Sequence, residues 1–270
     1  MNVLDLFSGI GGFSLGLERA GMKTVAFCEI DKKARQVLKK HWPDVPIFDD
    51  VKTLTKEKLD EQTITVDVIC GGFPCQDISL AGQGAGLAGE RSGLWFQFHR
   101  LIEEIRPSWV IIENVSALRS RGLDQVLRSL SQIGYDAEWH CITASAVGAP
   151  HQRDRIWIVA YSNRDGEWAG DGSEQPKGNT AGQRISDSSS LGIKGMVANA
   201  LRQRLEGQWK ISGGISEEQQ NISDSCWWAI EPAMGRVAYG IPGRVDRLKQ
   251  LGNAVVPQIP ELIGKAIMAC

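Results

Sequence analysis

Four side chains carry chemistry that the rest of the sequence has to explain: Cys75 in GGFPCQDIS, Glu113 in IIENV, and Arg153 and Arg155 in QRDR. Cys75 stands after a proline, just past the apolar run Val66-Asp67-Val68-Ile69-Cys70. A cysteine in a turn at a strand's end reads either as a packed small hydrophobe or as a thiolate nucleophile aimed at a substrate. The surroundings favour the nucleophile. Pro74 stiffens the loop, and the following QDISLAGQGAGLAGERSG supplies glycines on which a lid could hinge. Glu113 comes directly after WVII with Asn114 beside it, which places a carboxylate at the mouth of a cleft rather than in open solvent. Arg153 and Arg155 are two residues apart on an incoming strand and so point to one face. A structural salt bridge accounts for one of them; two on one side suggest at least one ligand contact.

A second set of residues suits a nucleotide-like ligand. DLFSGIGG puts Gly9, Gly11 and Gly12 right after the first strand, where backbone without side chains can pass close to a ligand at a helix N-terminus. Ser14 stands where the third glycine of a dinucleotide GxGxxG would be. Glu29 ends the second strand about 20 positions on, where an acidic residue commonly holds ribose hydroxyls. Asp50, in FDDV, is placed to accept from an adenine amino group. Together the three features indicate an adenosine-containing cofactor. Metal has little to work with: four histidines are scattered, and none of the six cysteines forms a CxxC pair. That cysteine usage fits a reducing cytoplasm.

These residues need elements to hold them. Val3 to Phe7, TVAFCE, VDVIC, WVIIE and RIWIVAY read as strands. FSLGLERAG, KKARQVLKKHW with Asp31 as its cap, LWFQFHRLIEEIR, LDQVLRSLSQIG and a final PQIPELIGKAIMA read as helices. Continuous apolar strands between amphipathic helices indicate an α/β fold with a mostly parallel sheet covered on both faces, whose ligands sit outside the carboxyl ends of the strands. Residues 162 to about 228 break the pattern, being rich in Gly, Ser, Asn, Asp and Gln. They read either as a polar insertion or as a small recognition element reaching a polar polymer. No apolar run approaches the length of a membrane span. The net charge of −2 does not announce nucleic acid. One local excess, Arg236, Arg244, Arg247 and Lys249 against Asp246, is either a solvated surface or a phosphate contact.

The motifs DLFSGIGG, EID, DDV, GGFPCQDIS, ENV, QRDRIW and QLGNAVVP occur in that order from one end of the chain to the other. In this the sequence resembles the DNA cytosine C5-methyltransferases of bacteria and phages. The resemblance implies a class I S-adenosylmethionine-dependent methyltransferase fold, Rossmann-like, with a small irregular recognition domain. The expected division is a catalytic and cofactor-binding domain over 1–161, a target-recognition region over 162–235, and a C-terminal segment over 236–270 returning to the catalytic domain. The implied reaction moves a methyl group from S-adenosylmethionine to carbon 5 of cytosine, leaving S-adenosylhomocysteine, with no metal. Cys75 would add to carbon 6 of the ring, and protonated Glu113 would donate to the ring nitrogen. Arg155 would hold the exocyclic carbonyl oxygen, with Arg153 helping to place base and phosphate.

For the cofactor the resemblance implies Phe7, Gly9, Gly11, Glu29, Ile30, Asp50, Val51, Pro74, Leu94, Asn253 and Val255. For the substrate it implies Gln76, Ser79, Asn114 and Gln152. The implied partner is double-stranded DNA, with the target base flipped from the stack by a monomeric enzyme, and with a cognate restriction endonuclease as a further partner. Three other readings stay open: the same chemistry on transfer RNA, a DNA-binding homologue impaired in catalysis, and a nicotinamide oxidoreductase, which the missing GxGxxG disfavours.

Overall fold

A computed structural model describes residues 1–74, 93–162 and 250–270. Cys75, Gln76, Ser79, the expected recognition region from 163 onward and the basic group from Arg236 to Lys249 lie outside the described residues. The elements run β1 (Asn2–Leu6), α1 (Gly12–Arg19), β2 (Lys23–Cys28), α2 (Lys32–His41), β3 (Ile47–Phe48), α3 (Lys56–Asp60), β4 (Val68–Gly71), α4 (Leu94–Ile105), β5 (Trp109–Val115), α5 (Leu118–Arg121), α6 (Leu123–Gln132), β6 (Tyr135–Thr143), β7 (Asp154–Ser162) and α7 (Gln258–Ile267).

Seven of these strands form one sheet in the order β3-β2-β1-β4-β5-β7-β6. The β2–β3, β1–β2, β1–β4 and β4–β5 pairs are parallel, whereas β7 runs antiparallel to both β5 and β6. The strand order reverses between β1 and β4, so a crevice opens at their carboxyl ends. Side-chain alternation sends the two faces of each strand into separate cores. Leu4, Leu6, Ile69, Val110, Ile112, Ile156 and Ile158 pack with α4 and α6. Val3, Val68, Cys70, Ile111, Trp157 and Val159 pack with α1 and α7. Both faces are buried, which is why these strands read as unbroken apolar runs.

Local chemistry sets the element ends. The Asp31 carboxylate accepts from the Lys33 and Ala34 backbone N–H groups at 2.7 and 3.1 Å, capping α2 as its sequence predicts. The helix α7 lies against α1 so closely that a Cβ at Gly16 would stand 2.2 Å from the Pro257 carbonyl oxygen. Only glycine allows that approach, and it brings the C-terminal segment back onto the first βα unit. Strand β6 is not evident in the sequence. It is a sheet edge whose Trp139, His140 and Cys141 are exposed, so it lacks both the alternation of a half-buried strand and the run of a buried one.

Candidate functional site

A cavity of about 380 Å³ opens at the carboxyl ends of β1, β2, β4 and β5. That volume is in the range that holds a drug-sized ligand. Its lining brings together residues far apart in sequence: Phe7 and Gly9 after β1, Glu29 and Ile30 after β2, Pro74 after β4, Glu113 and Asn114 on β5, Arg153 and Arg155 at β7, and Asn253. Gly72, Asp31 and Gln250 line it too, and sequence reasoning did not select them. The paired glycines before Phe73 were the available signal for Gly72. A Cβ there would meet Glu113 Oε2 at 2.9 Å, so the bare backbone leaves room for the carboxylate.

Other expected positions lie elsewhere. Val51 belongs to the core under α4, and Leu94 packs against that core from the start of α4. Val255 packs against Gly12, and Gly11 carries the Trp42 ring. Asp50 and Gln152 do not line the cavity. The Asp50 carboxylate accepts from the Lys52 N–H at 2.9 Å, and the Gln152 carbonyl accepts from Ala144 at 2.7 Å.

At one end of the cavity, Arg155 Nε stands 3.0 Å from Glu113 Oε1. The pairing follows from the sheet register. Val115 lies opposite Arg155 and Glu113 opposite Trp157, so Glu113 and Arg155 are diagonal neighbours on one face. Burial drives the Glu113 pKa above the ordinary carboxylate range, against the opposing pull of the Arg155 and Arg153 charges. Desolvation wins because only 13% of the Glu113 side chain is exposed. A carboxyl group in this setting is a proton donor at higher pH than a surface glutamate. Beside it, the Asn114 amide donates to the Phe73 carbonyl at 3.1 Å and accepts from Val115 N–H at 2.9 Å. Asn114 thereby ties the backbone just ahead of Cys75 to β5.

Strand alternation does not carry Arg153. The strand begins at Asp154, and Arg153 takes a left-handed φ of 35°, a conformation that costs a non-glycine residue on the order of 1 kcal/mol. From there its guanidinium donates to the Gly252 carbonyl at 2.6 Å and the Ala254 carbonyl at 2.8 Å. Burial, then the neighbouring Arg155 charge, lowers its pKa, while Glu113 opposes them.

The other end of the cavity has a different character. Glu29 Oε2 accepts from Gly9 N–H at 2.7 Å and Oε1 from Asp31 N–H at 2.7 Å, which fixes the carboxylate between two loops. A carboxylate offers about four acceptor positions, so the pair still has capacity for ligand hydroxyls. Next to it Ile30 is 73% exposed, an apolar side chain open at the cavity's lip. Under the loop, Asp5 lies fully buried in β1 with Oδ2 accepting from Ser14 Oγ at 2.8 Å, while the Ser8 hydroxyl donates to the Asp5 carbonyl at 2.6 Å. An anchored acceptor, an exposed apolar face and a close-passing glycine loop fit an adenosine-bearing cofactor. Among the described residues no group of three or more His, Cys, Asp or Glu is placed to hold a metal ion, and no helix is long and apolar enough to cross a membrane.

Comparison with known proteins bears on the family and the fold. The chain is 38% identical over 168 residues to the type II methyltransferase M2.BsuMI of Bacillus subtilis, which covers 59% of this chain and 42% of the relative. It is 40% identical over 159 residues to the type II methyltransferase M.CviJI of Paramecium bursaria Chlorella virus IL3A, covering 58% and 42%. The chain thus spans about two fifths of the length of these curated relatives. Among solved structures, a prophage-encoded protein of E. coli described as a DNA modification methyltransferase superposes with a TM-score of 0.52 at 30% identity, over 60% of this chain and 47% of that one. A DNMT2 variant from Spodoptera frugiperda shares the fold with a TM-score of 0.51 at 21% identity, over 64% and 53%. The sheet is therefore the Rossmann-like sheet of class I methyltransferases. Residues 1–232 match the C-5 cytosine-specific DNA methylase family as a whole, and the chain belongs to that family.

Proposed function

We propose that the protein methylates carbon 5 of cytosine in double-stranded DNA, using S-adenosylmethionine. The observation that carries the reading is the Glu113–Arg155 pair, a buried carboxyl of raised pKa held 3.0 Å from a guanidinium in the cavity that Pro74 also lines. Cys75 follows Pro74 directly in sequence.

Carbon 5 of cytosine is too electron-poor to attack an alkyl sulfonium unaided. The Cys75 thiolate forms a bond from sulfur to carbon 6, and the electron pair displaced from the 5,6 double bond moves toward the ring nitrogen. Glu113, protonated, gives its proton to that nitrogen, so that the ring becomes a neutral enamine with a nucleophilic carbon 5. Arg155 orients the Glu113 carboxyl and presents further N–H groups to the exocyclic oxygen of the base. Bound S-adenosylmethionine supplies an electrophilic methyl group. Glu29, Ile30, Phe7 and Asn253 would hold that cofactor, with Glu29 as acceptor for the ribose. Water then takes the carbon 5 proton, the electron pair of that C–H bond re-forms the 5,6 double bond as the carbon 6–sulfur bond breaks with its pair going to Cys75, and the ring nitrogen returns its proton to the Glu113 carboxylate.

The test is methyl transfer from labelled S-adenosylmethionine to duplex DNA and to transfer RNA in parallel, together with sequencing of 5-methylcytosine in DNA from cells expressing the chain. Label in DNA, with 5-methylcytosine at a recurring sequence, is expected. Label confined to RNA, or to neither polymer, would refute the proposal.

A further inference from the structure

We infer that Arg153 is a positioning residue for the cofactor end of the cavity: it clamps the chain on either side of Asn253 and so sets where Asn253 stands. This rests on the cofactor reading above and differs from the role in placing base and phosphate that the family resemblance implies for Arg153.

The two carbonyls it holds belong to Gly252 and Ala254, the residues flanking Asn253. No hydrogen bond among the described residues uses the Asn253 amide, and Asn253 is one of the residues lining the cavity. A guanidinium presents its N–H groups in a fixed fork, so two parallel bonds determine orientation as well as distance. The partners lie about a hundred positions away in sequence, with separations of 99 and 101 residues. The left-handed backbone at Arg153 turns its side chain out of the strand and toward this segment. The contact therefore joins β7, which carries Arg155 of the Glu113 pair, to the stretch that carries Asn253. On the far side the same stretch is fixed by Val255 and Pro257 against α1, leaving Arg153 as the described polar tie on the cavity side.

A residue that instead grips a DNA phosphate would leave cofactor affinity in the absence of DNA untouched. The experiment is calorimetric titration of the full chain with S-adenosylhomocysteine, without DNA, for wild type and for Arg153→Ala, Arg153→Lys, Asn253→Ala, Glu29→Ala and the doubles pairing Arg153→Ala with each of the last two. Arg153→Ala is expected to weaken binding about tenfold, the size of a lost charge-assisted bond. Arg153→Lys, whose single ammonium reaches one carbonyl, is expected to recover part of that loss. The Arg153→Ala/Asn253→Ala double should bind no more weakly than the worse single, whereas the double with Glu29→Ala should show the product of both losses. General loosening of the structure would not select Asn253 in this way. Unchanged affinity in Arg153→Ala, or additive losses with Asn253→Ala, overturns the inference while leaving the methyltransferase reading intact. A wild-type chain that binds no S-adenosylhomocysteine overturns both.

Discussion

Asp5 makes stability depend on pH with an unusual sign. Its carboxyl is fully buried in β1; Oδ2 accepts from Ser14 Oγ, and Oδ1 has no nitrogen or oxygen donor. Burial pushes its pKa from 3.8 to about 7, with Ser14 pulling the other way. Because the folded state holds this proton more tightly than the unfolded chain, Asp5 contributes stability that is complete below pH 3.8 and disappears as pH rises through about 7. Between about pH 5 and pH 8 the folded group loses its proton while the unfolded group is ionised throughout. At 1.36 kcal/mol per unit, that interval removes about 2–3 kcal/mol. Asn at this position is neutral at every pH and keeps an acceptor for Ser14. Urea unfolding of wild type and Asp5→Asn at several pH values reads the difference directly. Asp5→Asn should gain on wild type by about 2–3 kcal/mol between those two pH values. A difference that stays constant from about pH 5 to pH 8 would refute the assignment of a buried, protonated carboxyl, since one-residue linkage has no other outcome.

Three further outcomes are expected. Glu113→Gln should lower the methylation rate by about a hundredfold or more while sparing S-adenosylhomocysteine affinity, and the wild-type rate should fall on the alkaline side as Glu113 loses its proton; a pH–rate profile of both variants checks this. Cys75→Ala should abolish turnover with cofactor binding nearly intact, measured by labelled transfer and by titration. Gly16→Ala forces a Cβ to within 2.2 Å of the Pro257 carbonyl oxygen unless the backbone shifts, and should lower stability by about 1–3 kcal/mol in thermal or urea unfolding; a neutral result would mean that the Pro257 carbonyl does not stand against Gly16.

The parts of the fold legible in the sequence are those governed by local rules. Asp31 before KKAR announces a capped helix, and WVII announces a strand buried on both faces. What stayed hidden depends on contacts between distant segments. Strand β6 exposes Trp139 to Cys141 at an edge, so no hydrophobic period marks it. The contact of Gly16 with Pro257 is invisible in either segment alone. The same holds at the site. Spacing puts Arg153 and Arg155 on one face of a strand, but the strand starts one residue after Arg153, and a left-handed turn redirects that side chain to Gly252 and Ala254. The diagonal Glu113–Arg155 contact needs the β5–β7 register, which no motif encodes.

The seating of α7 on α1 has a bearing on how this family varies. Strand β7 ends at Ser162, and the described chain that resumes at Gln250 is held by Arg153 at Gly252 and Ala254 and by α1 at Val255 and Pro257. Both ends of the intervening stretch are thus fastened to the same rigid body. The entropy of closing such a span grows only with the logarithm of its length, about 0.6 kcal/mol for each doubling. On that ground alone, differences in length between those two moorings cost the fold little.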